Sequence, residues 1–326
     1  MKIFLCLFLT GFFVYGQSKF DSLCVAIKHR DDTLKIKTLN DECWKNRSNA
    51  PVYAVKCGEL ALKLGKSGGY KNLQTRSLNL LGVVYRGVGN PDKSIAYLKT
   101  ALDIAEEMDN KVEIGYAENN LGGAYRLKAY FPLALQHILR GYSIFEKIGN
   151  RQGMAYCLIN IGFVYTGLKN HEKAEYYYKQ TAKIRHEIGD TFGEAIARCE
   201  IARSHSIRGQ IDEALALYKE LEKTCESLRD NSGLIQAWWG EGNIYLKKKN
   251  YQAAYKYLSK TNKTAEMINS MYWQIQSGNS LSLFYAGSGR FGEAENTSLK
   301  TIALAKKYQD YALIAECYTQ PRGFMK

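Results

Sequence analysis

A small residue returns at every fortieth position through most of this chain. Gly82, Gly122, Gly162, Ala202, Gly242 and Ser282 follow one another at that step without slippage. Three residues further on run Tyr85, Tyr125, Tyr165, His205, Tyr245 and Tyr285. Twelve beyond the first column stand Ser94, Ala134, Ala174, Ala214, Ala254 and Ala294. Small residues make up roughly a quarter of an ordinary chain, so twelve of them at twelve set places reflect a repeated structural unit. A chain of 326 residues with only 4 prolines and no Ser/Pro-rich tract reads as one continuous body of such units.

Each unit reads as two helices. In the second unit the first helix is expected from about residue 73 to 88, where Gly89, Asn90 and Pro91 interrupt it. Proline is favoured in the first turn of the helix that follows. Ile95, Leu98, Leu102 and Ala105 then recur at spacings of three and four, one face of a second helix ending near residue 108. Glycine inside a helix costs roughly 1 kcal/mol relative to alanine. The spacing therefore places Gly82 opposite Ser94 at a close helix crossing, with Tyr85 filling the space where the helices diverge.

Leu81, Gly82, Tyr85, Ser94 and Ala101, with their counterparts at steps of 40, resemble the tetratricopeptide repeat in a form longer than the usual 34 residues. The resemblance implies an all-α solenoid, a right-handed superhelix of antiparallel helix pairs. It divides the chain into a leader (1–16), an N-terminal helical cap or linker (17–33), seven helix pairs (34–311) and an incomplete eighth repeat (312–326). The first unit departs from the pattern, with Glu42 at the glycine position, and the fifth carries Ala202 and His205. Pro321, Arg322 and Met325 stand where an eighth unit needs Leu, Gly and Tyr, so the C-terminal end is expected to be poorly capped and to self-associate weakly.

The first residues, MKIFLCLFLTGFFVYGQSK, have one lysine, an apolar run from Ile3 to Tyr15 and a small residue at Gly16. That run is too short to span a bilayer and suits an export signal, which places the mature chain in the bacterial periplasm or outside the cell. No membrane span is expected in the mature chain. The net charge of +13 falls to +12 when Lys2 leaves with the leader. In an exported protein this charge favours acidic peptides or envelope polyanions over nucleic acid. Eight cysteines become seven, none in a metal-binding or CxxC spacing, and most fall in apolar helical stretches as small hydrophobes. The leader followed by DSLCVAIKHRDDTLKIKTLNDECW is also similar to the start of exported tetratricopeptide sensor regions of bacterial histidine kinases and related regulators, which implies a role in signal transduction.

Catalytic candidates are missing from the sequence. GKS at Gly65–Ser67 has Leu60 where a phosphate loop needs glycine, and HEKAE at His171 lacks the second histidine of a zinc helix. His29, His137, His186 and His205 are scattered over different units. The chain reads as a non-enzyme with no cofactor and no metal. Tetratricopeptide superhelices present the first helix of each unit to a concave face that holds peptides or helices. By register that face would carry Asn79, Asn119 and Asn279 in one row and Asn120 and Asn160 in the next. Arg86 and Arg126 follow, with Tyr116, Tyr156, Gln236 and Gln276 at the helix starts and Trp239 and Asn243 further along. Asparagine suits a peptide backbone because it donates and accepts at once, and the two arginines are placed, exposed, to take a carboxylate.

Overall fold

The computed structural model describes residues 19–48, 50–308 and 317. The leader and nearly all of the proposed eighth repeat therefore lie outside the described residues, as does the expected self-association through that end. Among the described residues the secondary structure is helical throughout. A short helix α1 (residues 19–27) precedes seven pairs: α2 (Asp32–Asn46) with α3 (Pro51–Ser67), α4 (Lys71–Gly87) with α5 (Pro91–Glu107), and α6 (Lys111–Leu127) with α7 (Phe131–Lys147). Next come α8 (Arg151–Gly167) with α9 (His171–Glu187) and α10 (Thr191–Ile207) with α11 (Ile211–Leu228). The last two pairs are α12 (Asn231–Lys247) with α13 (Tyr251–Met267) and α14 (Met271–Gly287) with α15 (Phe291–Tyr308).

From the end of α3 onward the junctions share one geometry. Positive φ occurs at residues 69, 89, 109 and so on at every twentieth position to 289, once per junction. Glycine fills six of these places, Gly89 at φ 71° among them, and Asp109, Ala129, Lys169, Arg229, Lys249 and Asn269 fill the others. After the left-handed residue, the next amide donates back to the sixth residue of the closing turn, as Asn90 N–H does to Tyr85 O at 2.9 Å. This is a Schellman closure. The same residue then caps the next helix: Asn90, Asn110, Asn150, Asn170, Asp190 and Asn250 each accept from the amide three residues on.

Packing runs between neighbours along the solenoid, each helix against the next and the first helix of a unit against the first helix of the following one. Of these first-helix pairs, α8 and α10 pack most loosely. Phe20, Leu23 and Ile27 of α1 cover the core of the first pair. At the other end Cys317 is buried with Ile275, Ile302 and Ala305. Among the described residues seven cysteines are free, six of them buried.

The crossings explain the repeated glycine. Ser94 Oγ donates to Gly82 O at 2.7 Å, and in the seventh unit the roles reverse, Ser282 donating to Ala294 O at 3.0 Å. A second neighbour, sixteen residues on, leaves no room even for a methyl. A Cβ at Gly82 would stand 2.5 Å from Leu98 Cγ, one at Gly242 2.7 Å from Leu258, and those at Gly122 and Gly162 would overlap Ile138 and Tyr178. The first unit inverts the sizes: Glu42 replaces the glycine, and Gly58 replaces the large residue sixteen on. Tyr53 Oη and Asn46 Nδ2 both donate to Glu42 there, each at 3.1 Å.

The tyrosine column stacks on the second helix rather than filling a divergent gap. Tyr85 lies parallel to Tyr97, Tyr125 to His137, Tyr165 to Tyr177 and Tyr245 to Tyr257, with ring centroids 5.2–5.6 Å apart. Such pairs contribute roughly 0.5–1.5 kcal/mol beyond area burial. His205 faces Leu217 in the fifth unit by register, and Tyr285 packs on Tyr255 and Phe284 instead.

Thermal unfolding should separate the two uses of small residues. Gly122→Leu, which would press on Ile138 and on Ala134 O at 2.7 Å from the new Cβ, is expected to lose about 3 kcal/mol. Ala129→Gly relieves a left-handed alanine (φ 58°) and is expected to gain about 1 kcal/mol after the entropy of the unfolded chain is counted. A Gly122→Leu variant as stable as the parent would refute the crossing geometry.

Candidate functional site

The first helices of units one to four wall a concave pocket of about 340 Å³, closed on one side by Thr181 and Arg185 of α9 and by Gly193 and Ile196 of α10. Seven of the residues singled out by register line it: Asn79 and Arg86 from α4, Tyr116, Asn119 and Asn120 from α6, and Tyr156 and Asn160 from α8. Leu80, Val83, Ile159 and Phe163 supply apolar wall.

Several of these side chains are partly spent on joining the units. Asn160 Nδ2 donates to Asn119 Oδ1 at 2.9 Å, across α8 and α6. Asn79 Nδ2 donates to Glu113 Oε2 at 2.7 Å, across α4 and α6. Asn79 Oδ1 is left out of solvent with no partner. Tyr156 packs edge-on to Tyr116 at 6.4 Å, and the Arg185 guanidinium lies 4.2 Å from the Tyr156 ring centre.

The remaining candidates lie elsewhere. Arg126 does not line the pocket; its guanidinium sits 5.4 Å from the ring of Phe163, which does. Trp239, Asn243 and Asn279 belong to units six and seven. Trp239 Nε1 donates to Ser280 Oγ at 3.1 Å, Ser280 donates to Asn243 Oδ1 at 3.0 Å, and Asn243 Nδ2 donates to Trp239 O at 2.7 Å. That closed network ties α12 to α14. Asn279 is buried, its Nδ2 without a partner.

The expectation that Arg86 and Arg126 stand exposed is corrected. Both are half-buried, with Arg86 Nη1 and Arg126 Nε shut off from solvent and unpartnered. Burial first, then the positive charges of Arg126 and Arg47, push the Arg86 guanidinium down to about 10. The register analysis also missed Trp44 and Arg47 at the end of α2, which line the same pocket. Arg47 donates to Trp44 O at 2.7 Å and lies 3.7 Å from the Trp44 ring centre.

A carboxyl group intrudes into the core of the sixth unit. Glu241 occupies the column of Leu81, Leu121 and Ile161 and is fully buried. Burial, followed by the charge of Glu222, pushes it up to about 7 from an ordinary 4.5. Glu222 accepts from Trp238 Nε1 at 2.5 Å and has Lys260 3.6 Å away. The folded state holds the Glu241 proton where the unfolded chain has released it, so stability should fall as pH rises from about 4.5 to about 7 and level off above. Glu241→Gln should remove that component and unfold at higher urea concentration than the parent at pH 8. Parallel pH profiles for the two proteins would contradict the assignment.

Family models described as "Tetratricopeptide repeat" match residues 113–187, 154–227, 75–108 and 235–261, together more than half of the chain. No curated protein matches it in sequence. Solved structures similar to it include a Rap protein complexed with competence and sporulation factor, at 15% identity and a TM-score of 0.68 over 88% of this chain and 80% of that one. NprR in complex with its cognate peptide NprX gives 16%, 0.60, 87% and 82%. A signal transduction ATPase with a tetratricopeptide repeat sensor from Pyrococcus horikoshii gives 18%, 0.55, 94% and 47%. At these identities the likeness is one of fold.

Proposed function

This chain belongs to the tetratricopeptide repeat family, and from that premise we propose that it is a non-catalytic scaffold holding a peptide segment of a partner in the concave pocket of units one to four. The observation that carries the reading is the pocket itself. Four successive first helices bring apolar wall and polar groups together, and one of those groups, Asn79 Oδ1, has its desolvation uncompensated by the chain. A buried acceptor of this kind gains most from a ligand N–H. Two proteins of similar fold, a Rap protein and NprR, were solved in complex with competence and sporulation factor and with a cognate peptide, which supports the same reading.

Random peptides displayed on phage and selected on the protein should give binders whose affinity drops about tenfold or more with Tyr156→Ala, as expected for an aromatic anchor. Tyr176→Ala, on an exposed side chain outside the pocket, should leave them unchanged. Selected peptides indifferent to Tyr156→Ala would sink the pocket assignment.

Export is part of the proposal and rests on the leader sequence. N-terminal sequencing of protein recovered from the bacterial envelope or medium should start just after Gly16; an intact Met1 in the cytoplasm would overturn it. A second reading, the sensory region of a membrane histidine kinase or transcription regulator, is favoured by the similar fold of the Pyrococcus protein, whose tetratricopeptide repeats form a sensor. An in-frame membrane span encoded beyond codon 326 would decide for it, and a stop codon there against it.

A further inference from the structure

The two rims of the solenoid differ in charge. At one rim the first helix of each unit ends and the second begins; at the other the second ends and the next unit starts. Residues 87–93 and their counterparts at steps of 40, as far as 287–293, hold nine Lys and Arg against five Asp and Glu. The matching stretches of the opposite rim, 67–73 to 267–273, hold five against six. Packing does not require this difference, since most of the charged residues at both rims are exposed.

The basic rim is continuous from unit to unit. Lys128 donates to Asp92 at 2.6 Å, Lys248 to Asp212 at 2.8 Å and Arg208 to Glu175 at 2.7 Å, each reaching back to the unit before. Lys169, Lys173, Lys247 and Lys249 are exposed and form no ion pair among the described residues. Between these cations Leu127, Tyr130, Leu168 and Ile207 are 39–53% exposed. Leu168 directly precedes Lys169, and Lys128 Nζ stands 5.6 Å from the Tyr130 ring centre. Apolar side chains reach solvent at the opposite rim too, Leu228 and Met267 among them, but without the excess of cations. None of the residues named on the basic rim lines the concave pocket.

We propose that this rim, from unit three to unit six, rests on the surface of a membrane containing anionic phospholipid. Such a surface has two layers, and the rim meets both: lysine ammonium groups sit among the phosphates while the apolar side chains between them enter the boundary of the acyl chains. The long lysine stems allow both contacts at one height. A soluble acidic partner would answer the lysines and leave Leu168 and Ile207 unused, so the combination points to lipid. The chain then lies on the bilayer, in keeping with the absence among the described residues of any helix long and apolar enough to cross one. The proposal does not depend on the reading of the pocket.

The test is cosedimentation of the full chain with vesicles of phosphatidylglycerol mixed with phosphatidylcholine, and with vesicles of phosphatidylcholine alone. The parent should bind the anionic vesicles at least about tenfold more tightly than the neutral ones, and less tightly as salt is added. Lys169→Glu, Lys247→Glu and Lys249→Glu together should weaken binding to anionic vesicles at least about tenfold. Lys111→Glu, Lys147→Glu and Arg229→Glu, the same change of charge on the opposite rim, should weaken it less than about threefold. The set Lys169→Gln, Lys247→Gln and Lys249→Gln should show a smaller loss in the same direction, which keeps the test decisive if a glutamate disturbs a turn. Leu168→Ser with Ile207→Ser should weaken vesicle binding about fivefold and leave binding of soluble polyglutamate unchanged. Equal losses in the two triple Glu variants would mean that net charge alone is read, and equal binding to both kinds of vesicle would mean that the apolar stretch Ile3–Tyr15 inserts; either result overturns the rim. Polyglutamate bound through the same lysines, with vesicle binding indifferent to Leu168→Ser and Ile207→Ser, would give the rim to an acidic macromolecule and overturn the lipid.

Discussion

Every junction from Gly69 to Gly289 turns through a single left-handed residue, twenty positions after the last. The rest of the architecture depends on that interval. Three residues close one helix and open the next, leaving 17 for most of the helices, about 25 Å of rise each. Because successive turns have one length and one hydrogen-bond pattern, residues 40 apart fall on the same face at the same height. The columns of small residues, stacked rings and pocket-facing amides follow from this. One residue added to a helix would rotate everything after it by about 100°.

The same turns show why the period of 40 was legible in the sequence and the period of 20 was not. Gly82 and its counterparts are held to small residues by a side chain on the facing helix, so the sequence displays the constraint directly. The left-handed positions are constrained in backbone conformation alone. Alanine, lysine and arginine satisfy them at Ala129, Lys169, Lys249 and Arg229 at an energetic cost that Schellman closure offsets, joined at Lys169 and Lys249 by the asparagine cap that follows. The residue sixteen after the glycine was hidden for another reason. Leu98, Ile138, Tyr178 and Leu258 fill one niche with different shapes, and the inversion in unit one, Glu42 against Gly58, keeps volume while abandoning both columns.

In the pocket the sequence placed seven residues on the right wall and mistook what some of them do. Register assigns a face, but a hydrogen bond between units depends on a partner 34 or 41 positions away, as in Asn79 with Glu113 and Asn160 with Asn119. An asparagine on the concave face can thus be mortar between repeats as well as a ligand group. Arg47 and Trp44 escaped because the first unit lacks the glycine and tyrosine that mark the register, although Arg47 at the end of α2 stands within one residue of the place that Arg86 takes at the end of α4.

A solenoid whose units touch only their neighbours gains stability by local increments, and no core contact ties its distant parts together. The pocket is the exception to that locality. Arg47, at the end of the first unit, is close enough to Tyr156 of the fourth for the phenol to act on its charge, while the chain between them is bound only through successive pairs. A segment occupying the pocket would touch all four units at once and add a coupling that the apoprotein lacks. Because α8 and α10, the most loosely packed first-helix pair, both line the pocket, that added coupling would span the weakest first-helix contact in the solenoid. Binding there would stiffen the joint between the two halves of the chain, so the physical effect of a ligand would extend beyond the residues it touches.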